Sequence, residues 1–164
     1  MRLPPPQAPS LRRRLACLVY ESLILFGLLL LPGALGAVLI ATVGAAPPLL
    51  LGGVSIALFG AYFVGFWQRR GQTLPMQTWH IRLLTVEGRP LGRGRALARY
   101  AAAYAWVLPA LLLAALYGWP VKATLAAVAV GVLVYAMLSR LHPQRQFWHD
   151  AVCGTCLVDA RPGR

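Results

Sequence analysis

Two long apolar blocks organise the chain. Between Leu15 and Trp67, 53 positions hold one charged residue, Glu21, and between Tyr100 and Ser139, 40 positions hold one, Lys122. A helix needs about 20 apolar residues to cross the ~30 Å hydrocarbon core of a bilayer, so each block has the length of two spans. Each also breaks where a hairpin turn belongs. Gly44-Ala45-Ala46-Pro47-Pro48 divides the first block and Gly118-Trp119-Pro120 the second, and such Gly/Pro clusters punctuate helices. The pattern predicts an all-α membrane protein with four transmembrane helices, at about 15–43, 49–67, 100–117 and 121–139. The first is too long to cross straight. Pro32-Gly33 is expected to kink it, because proline lacks a backbone donor and clashes with the preceding turn.

The polar connection between the blocks is more than a loop. Gln77-Thr78-Trp79-His80-Ile81-Arg82-Leu83-Leu84-Thr85-Val86 is aromatic and β-branched, and Glu87-Gly88 closes it. That reads as a strand followed by a turn. Gly154-Thr155-Cys156-Leu157-Val158 has the same character. A lone strand exposes its backbone groups, so a small cytoplasmic β pairing of about 81–86 with 155–158 is predicted. Residues 89–99 read as a basic, membrane-surface lead-in to the third helix. Residues 1–10 read as a disordered N-terminal tail, 11–159 as a single membrane domain, and 160–164 as a second tail.

Small residues recur every four positions at Gly53, Ala57, Ala61 and Gly65, and again at Ala123, Ala127 and Gly131. Residues four apart share a helix face, and small ones let membrane helices approach closely. These stripes are expected to be packing seams within the protein, with a homodimer interface as the rival reading.

Composition agrees with a membrane protein. The 164 residues are 59% hydrophobic and 12% charged, far from a soluble domain's balance. That excludes a disordered chain, a collagen-like chain and a conventional soluble enzyme. The net charge of +12 raises nucleic acid as a partner, but no aromatic-basic reading surface or recognition motif accompanies it. Its placement explains it instead. Four arginines fall in 1–14, seven in 68–99 and four from 140 onward, against Lys122 alone in the two hairpin turns. By the positive-inside rule both termini and 68–99 lie in the cytoplasm, beside anionic lipid headgroups that attract them. Arg12–Arg14, Leu15–Leu31 and Ala34-Leu35-Gly36 imitate a signal peptide. That apolar run is too long for one, contains Glu21 and continues into a second span, so it is read as uncleaved.

Few residues carry candidate chemistry. Glu21 lies six residues into its span, about 9 Å deep, where a charge is expensive and marks function or a structural anchor. Arg14, seven residues earlier, shares its helix face, and a bridging water or tyrosine hydroxyl is expected to link the two. Asp150, beside Phe147, Trp148 and His149, is expected to accept from an arginine of the central connection, as a structural lock or as part of an ion path. Cys153-Gly154-Thr155-Cys156 has a C-x-x-C spacing, but one pair without a second gives weak grounds for zinc or redox chemistry, and three cysteines give no disulfide framework. No Walker loop, zincin motif, nucleophile elbow or dinucleotide fingerprint is present. Neither an enzyme, a metal site nor a cofactor is expected.

Three pieces together carry a resemblance. Arg13-Arg14-Leu15-Ala16-Cys17-Leu18-Val19-Tyr20-Glu21, then Tyr62-Phe63-Val64-Gly65-Phe66-Trp67 with Arg70-Gly71-Gln72-Thr73-Leu74, then Arg145-Gln146-Phe147-Trp148-His149-Asp150 with Gly154-Thr155 resemble the RDD family over about residues 11–159. The resemblance implies a multi-pass protein of the bacterial inner membrane. Arg14 matches the family arginine at the start of the first helix, Asp150 the later aspartate, and Gln72-Thr73-Leu74 the element after helix two. Glu21 stands where the family has aspartate, which keeps the carboxyl and lengthens it by one methylene. Pro75-Met76 stands where Gly-Lys is usual. Arg14, Glu21 and Asp150 are thus the expected polar network, with Gln72, Thr73 and His149 in support. Transport of an unknown ligand is the function usually suggested for the family. Two readings follow: a small, oligomeric transporter or cation/proton exchanger titrating Glu21, or a non-transporting scaffold that binds another membrane protein or lipid.

Overall fold

The computed structural model describes residues 8–105, 107–141 and 146–161. Of the predicted tails at 1–10 and 160–164, residues 1–7 and 162–164 lie outside the described residues, as do His142 and Arg145. Helix α1 (Leu11–Val43) opens at Ser10, whose hydroxyl accepts from the Arg13 N–H, and it runs as one helix through Pro32. That cap starts it four residues earlier than the apolar pattern predicts. Gly44 ends it in the left-handed conformation at φ 79°, and Pro48 opens α2 (Pro48–Arg70) at the position where a missing N–H costs nothing. Gly71 ends α2 at φ 66° with its N–H on Trp67 O. A Cβ there would lie 2.9 Å from Leu83 O, so this turn requires glycine twice over.

The polar connection holds α3 (Leu74–Thr78), β1 (Ile81–Thr85) and α4 (Arg93–Tyr104). Then come α5 (Leu108–Tyr117), α6 (Val121–Leu138) with a 3-10 turn over Ser139–Leu141, α7 (Trp148–Val152) and β2 (Thr155–Asp159). Helices α1, α2 and α6 with its 3-10 turn are each long and apolar enough to cross a membrane. The third predicted helix, 100–117, is not one rod. Helices α4 and α5 form a pair bent by 43° that reaches spanning length only together. Pro109 sits in the first turn of α5 and has no N–H to donate to Ala105, so the ladder restarts there. The basic lead-in is helical as well, and the span therefore begins at Arg93.

The predicted β pairing forms. Strands β1 and β2 run antiparallel with Ile81 opposite Asp159, Leu83 opposite Leu157, and Thr85 opposite Thr155. Ile81, Leu83 and Thr85 are buried while Arg82 points to solvent, the alternation of a one-sided sheet. Both edges of this ribbon are covered. On β1, Leu83 N–H donates to Gly71 O at 2.8 Å and Gln72 Nε2 to Ile81 O at 2.8 Å. On β2, Gln146 accepts from Leu157 N–H at 3.0 Å and donates to Leu157 O at 2.9 Å, as a neighbouring strand would.

The core lies where the helix ends meet this sheet. Cys17, Val64, Trp67, Ile81, Leu83 and Leu157 form its centre, with Phe63 and Phe147 packed against it. Away from the sheet the spans are open: only 6–11% of each span's most apolar window is buried within the chain. The small-residue stripe on α2 is not a seam. Gly53, Ala57 and Ala61 are exposed, and a Cβ on Gly53 or Gly65 would meet nothing within 4 Å. The close approaches fall on other glycines: a Cβ on Gly36 would lie 3.0 Å from Leu51 Cδ1, and one on Gly60 3.2 Å from Tyr100 Cε1. Helix α2 uses a neighbouring face to meet α4, which leaves the four-residue repeat uncovered. On α6, Ala123 is exposed and Ala127 half-buried.

Candidate functional site

Glu21 is buried at the inner side of α1, at 6% exposure. Its two oxygens are held separately. Tyr62 Oη of α2 donates to Oε1 at 2.6 Å, and Thr73 Oγ1 donates to Oε2 at 2.7 Å. Thr73 is fully buried and also caps α3, accepting from Met76 N–H at 3.4 Å. The expected link between Glu21 and Arg14 is absent from this arrangement. Both carboxylate oxygens are turned toward α2 and α3, while the Arg14 guanidinium carbon lies over the Phe147 ring, 4.6 Å from its centroid. A tyrosine hydroxyl does hold Glu21, but it leads to α2 and not to Arg14.

Asp150 has no exposed surface and accepts from Arg99 Nε at 2.6 Å. Arg99 comes from the buried side of α4, and its guanidinium stacks on Trp67 at 4.2 Å. Thr155 Oγ1 stands 3.1 Å from the same Asp150 oxygen. The other oxygen, Oδ2, and Arg14 Nε and Nη1 are closed off from solvent with no hydrogen-bond partner among the described residues, although Asp150 acts electrostatically on Arg14. His149 adds a third layer. Its Nδ1 lies 2.5 Å from Tyr135 Oη, and its backbone N–H donates to the same oxygen at 2.9 Å. Its Nε2 is 3.6 Å from Asp150 Oδ1. Burial pushes the His149 imidazole down to about 4, with Asp150 opposing the shift and Arg99 adding to it.

The structure thus separates the predicted network into two centres. Glu21 and Thr73 belong to one, Asp150 and His149 to the other with Arg14 beside them, and Gln72 serves the sheet edge. The expectation that an arginine of the central connection pairs with Asp150 holds, and Arg99 is that arginine; sequence reasoning did not single out Tyr62 or Arg13, nor choose Arg99 among its neighbours. Arg99 follows Ala96 by three residues on the buried side of α4, a spacing visible in the sequence once that segment is taken as helix. Arg13 donates to Asp159 at 2.6 Å, to the carbonyl of Trp79, and to His80 O at 3.0 Å. Hydrogen bonds from Arg161 and then from Arg13 hold the Asp159 carboxyl well below the usual range.

A model of the RDD family matches residues 8–154, which is nearly the whole chain. The chain belongs to the RDD family. No curated protein matches it, and no solved structure does either. Of the residues aligned by resemblance to the RDD pattern, Asp150 is paired with Arg99 and acts on Arg14 only electrostatically, and Glu21 stands apart with the hydroxyl of Thr73. Cys153 and Cys156 are free thiols. Burial pushes both up from the ordinary thiol range, which disfavours the reactive thiolate. Among the described residues, no three His, Cys, Asp or Glu side chains gather as a metal site would require.

Proposed function

We propose that this RDD protein is a small inner-membrane transporter that exchanges protons for cations at Glu21, with the sheet face and both termini in the cytoplasm. The observation that carries this reading is the surroundings of Glu21. It is a buried carboxyl in a spanning helix, its hydrogen bonds come from two neutral hydroxyls, and it makes no ion pair among the described residues. Arg99 acts on Glu21 only electrostatically, without an ion pair, which leaves the carboxylate free to take a proton or a metal cation as its direct partner. Intramembrane acids of this kind mark ion pathways. The oxygens of Glu21, Tyr62 and Thr73 are also hard donors, suited to alkali and alkaline-earth cations.

Flux of protons and monovalent cations in liposomes made with the purified protein tests this. Glu21→Gln is expected to keep the fold, since the amide still accepts hydrogen bonds, and to lose flux. Glu21→Asp keeps a carboxyl and is expected to retain flux. A well-folded Glu21→Gln protein that transports at the wild-type rate would remove Glu21 from the mechanism.

The open outer half of the bundle favours a second reading, a scaffold that docks another membrane protein. The spans cover one another so little that their apolar sides are free for such a partner. Wild-type liposomes with no ion flux, together with co-purification of one defined membrane partner, would put this reading first.

A further inference from the structure

A cavity of about 570 Å³ lies between α2 and α4 on the outer side of the bundle. Ala57, Ala61 and Gly65 form one wall, and these are the residues of the stripe left without a packing partner. Leu97 and the ring of Tyr100 form the other. The Tyr100 hydroxyl is already engaged, donating to Ile56 O at 2.7 Å and lying 2.6 Å from Tyr104 Oη. The interior of the groove is therefore apolar.

Its sheet-face end is different. Arg69, near the end of α2, and Arg93, the first residue of α4, both line the cavity. Both are exposed, and neither makes an ion pair among the described residues. Gln68 lines it as well, and its Nε2 has no hydrogen-bond partner among the described residues. Helix α4 begins at Gly92 without a side-chain cap, so its first N–H groups carry uncompensated positive character at the same place. No acidic residue lines the cavity among the described residues.

The groove is thus cationic at one end and apolar along its length. From Ile56 to Arg69 it follows fourteen residues of helix, about 20 Å, against about 15 Å of hydrocarbon in one leaflet. Those dimensions and that polarity fit an amphiphile with an anionic head. We propose that this groove holds one anionic phospholipid, its phosphate between Arg69 and Arg93 and an acyl chain along Ala57, Ala61 and Gly65. A second copy of the chain fits less well. All copies face the same way in the membrane, so a two-fold contact along this stripe would gather two Arg69 and two Arg93 side chains with no acid to offset them. The site does not involve Glu21, so it stands whether or not the protein transports ions.

Native mass spectrometry of the delipidated full-length protein, offered equal phosphatidylglycerol and phosphatidylcholine, tests the proposal. One phosphatidylglycerol per protomer is expected, with a preference of about tenfold or more from two arginines at the headgroup. Arg69→Gln/Arg93→Gln is expected to erase the preference, whereas Arg12→Gln/Arg140→Gln, at other exposed arginines, is expected to keep it. Ala61→Phe fills the groove below the charges and is expected to displace the bound lipid. Gly65→Leu does the same should the first variant fail to fold. Equal loss of preference in both arginine pairs would reduce the effect to diffuse surface charge and overturn the site. Glycerol phosphate displacing the lipid at equal concentration would make this a free-phosphate site. A wild-type dimer that Ala61→Phe turns into a monomer, with lipid preference intact, would assign the groove to a second copy.

Discussion

Arg99 and Asp150 stand 51 positions apart in the sequence, and in the structure Nε lies 2.6 Å from Oδ1 with both side chains buried. The pair fastens the start of the bent third span to α7, beside the strand that completes the sheet. Trp67 beneath the guanidinium adds α2 to the same junction. One ion pair thereby holds three parts of the chain at the sheet face.

Removing one partner of this pair leaves a buried charge uncompensated, which costs roughly 3–5 kcal/mol. Asp150→Asn and Arg99→Leu are each expected to lower the unfolding midpoint in mild detergent by that order. The double replacement Arg99→Leu/Asp150→Leu is expected to cost less than the sum of the singles, because it leaves no orphaned charge. Strictly additive losses would show that the pair is not coupled.

Tyr62→Phe removes a hydrogen bond to a carboxylate and is expected to cost about 1.5–3 kcal/mol. A cycle pairing it with Glu21→Gln is expected to give a coupling of about 0.5–3 kcal/mol. Glu21→Leu leaves both Tyr62 and Thr73 without an acceptor and is expected to be the most damaging single change at this centre. Chemical denaturation followed by circular dichroism reads all three.

His149 makes stability depend on pH. Its ordinary value is 6.5, and burial lowers it to about 4 in the folded protein. The unfolded chain therefore takes up a proton as pH falls through 6.5 while the folded chain does not. This contribution is complete above pH 6.5 and declines between 6.5 and about 4, by about 3 kcal/mol at the lower end. His149→Asn keeps an acceptor for Tyr135 and carries no proton. Its melting temperature is expected to be flatter across that window, and an unchanged slope would exclude His149 as the source.

Gln146 imitates a third strand, so Gln146→Leu is expected to orphan the N–H and C=O of Leu157. Each unsatisfied buried group costs about 1–3 kcal/mol. Hydrogen exchange at 155–159 is expected to accelerate, whereas Gln72→Leu, which releases only the Ile81 carbonyl, is expected to perturb β1 alone. Equal protection of β2 in wild type and Gln146→Leu would dismiss the edge clamp.

Single cysteines at Arg82 and Lys122, in a protein whose own cysteines are replaced, test the topology. Both positions are exposed. A membrane-impermeant thiol reagent added from outside is expected to label the Lys122 position and not the Arg82 position. The reverse result would invert the protein in the membrane.

Periodicity and composition were enough for three of the spans, the hairpin turns and the two strands, because burial in an apolar medium and backbone pairing act on every residue of a segment at once, but they missed the bend and the earlier start of the third span. The resemblance drew attention to Arg14, Glu21 and Asp150 for the same reason: a charge in or beside an apolar block is conspicuous in one dimension. An arginine of the central connection was expected on Asp150, and Arg99 is there, but which of the seven arginines in 68–99 it would be was not legible, nor were the partners of Glu21. Arg14 and Glu21 share a helix face, and spacing alone joined them. Tyr62 and Thr73 reach Glu21 across 41 and 52 positions, and Arg99 reaches Asp150 across a bend that Pro109 introduces.

The α2 stripe shows the same limit in packing. Its four-residue repeat was plain in the sequence, but which face of α2 meets α4 depends on how the helix is rotated about its axis. That rotation follows from Tyr100 resting on Gly60 and from Gly71 seated against Leu83, contacts between residues far apart in the chain. The sequence by itself determined which segments are long and apolar enough to cross a membrane and that nearly all the charge falls outside the apolar blocks, since those are properties of local hydrophobicity. Only the tertiary structure decided which hydroxyls hold Glu21, which arginine neutralises Asp150 and which stripe remains open, because each is a pairwise contact set by rotation and register rather than by composition.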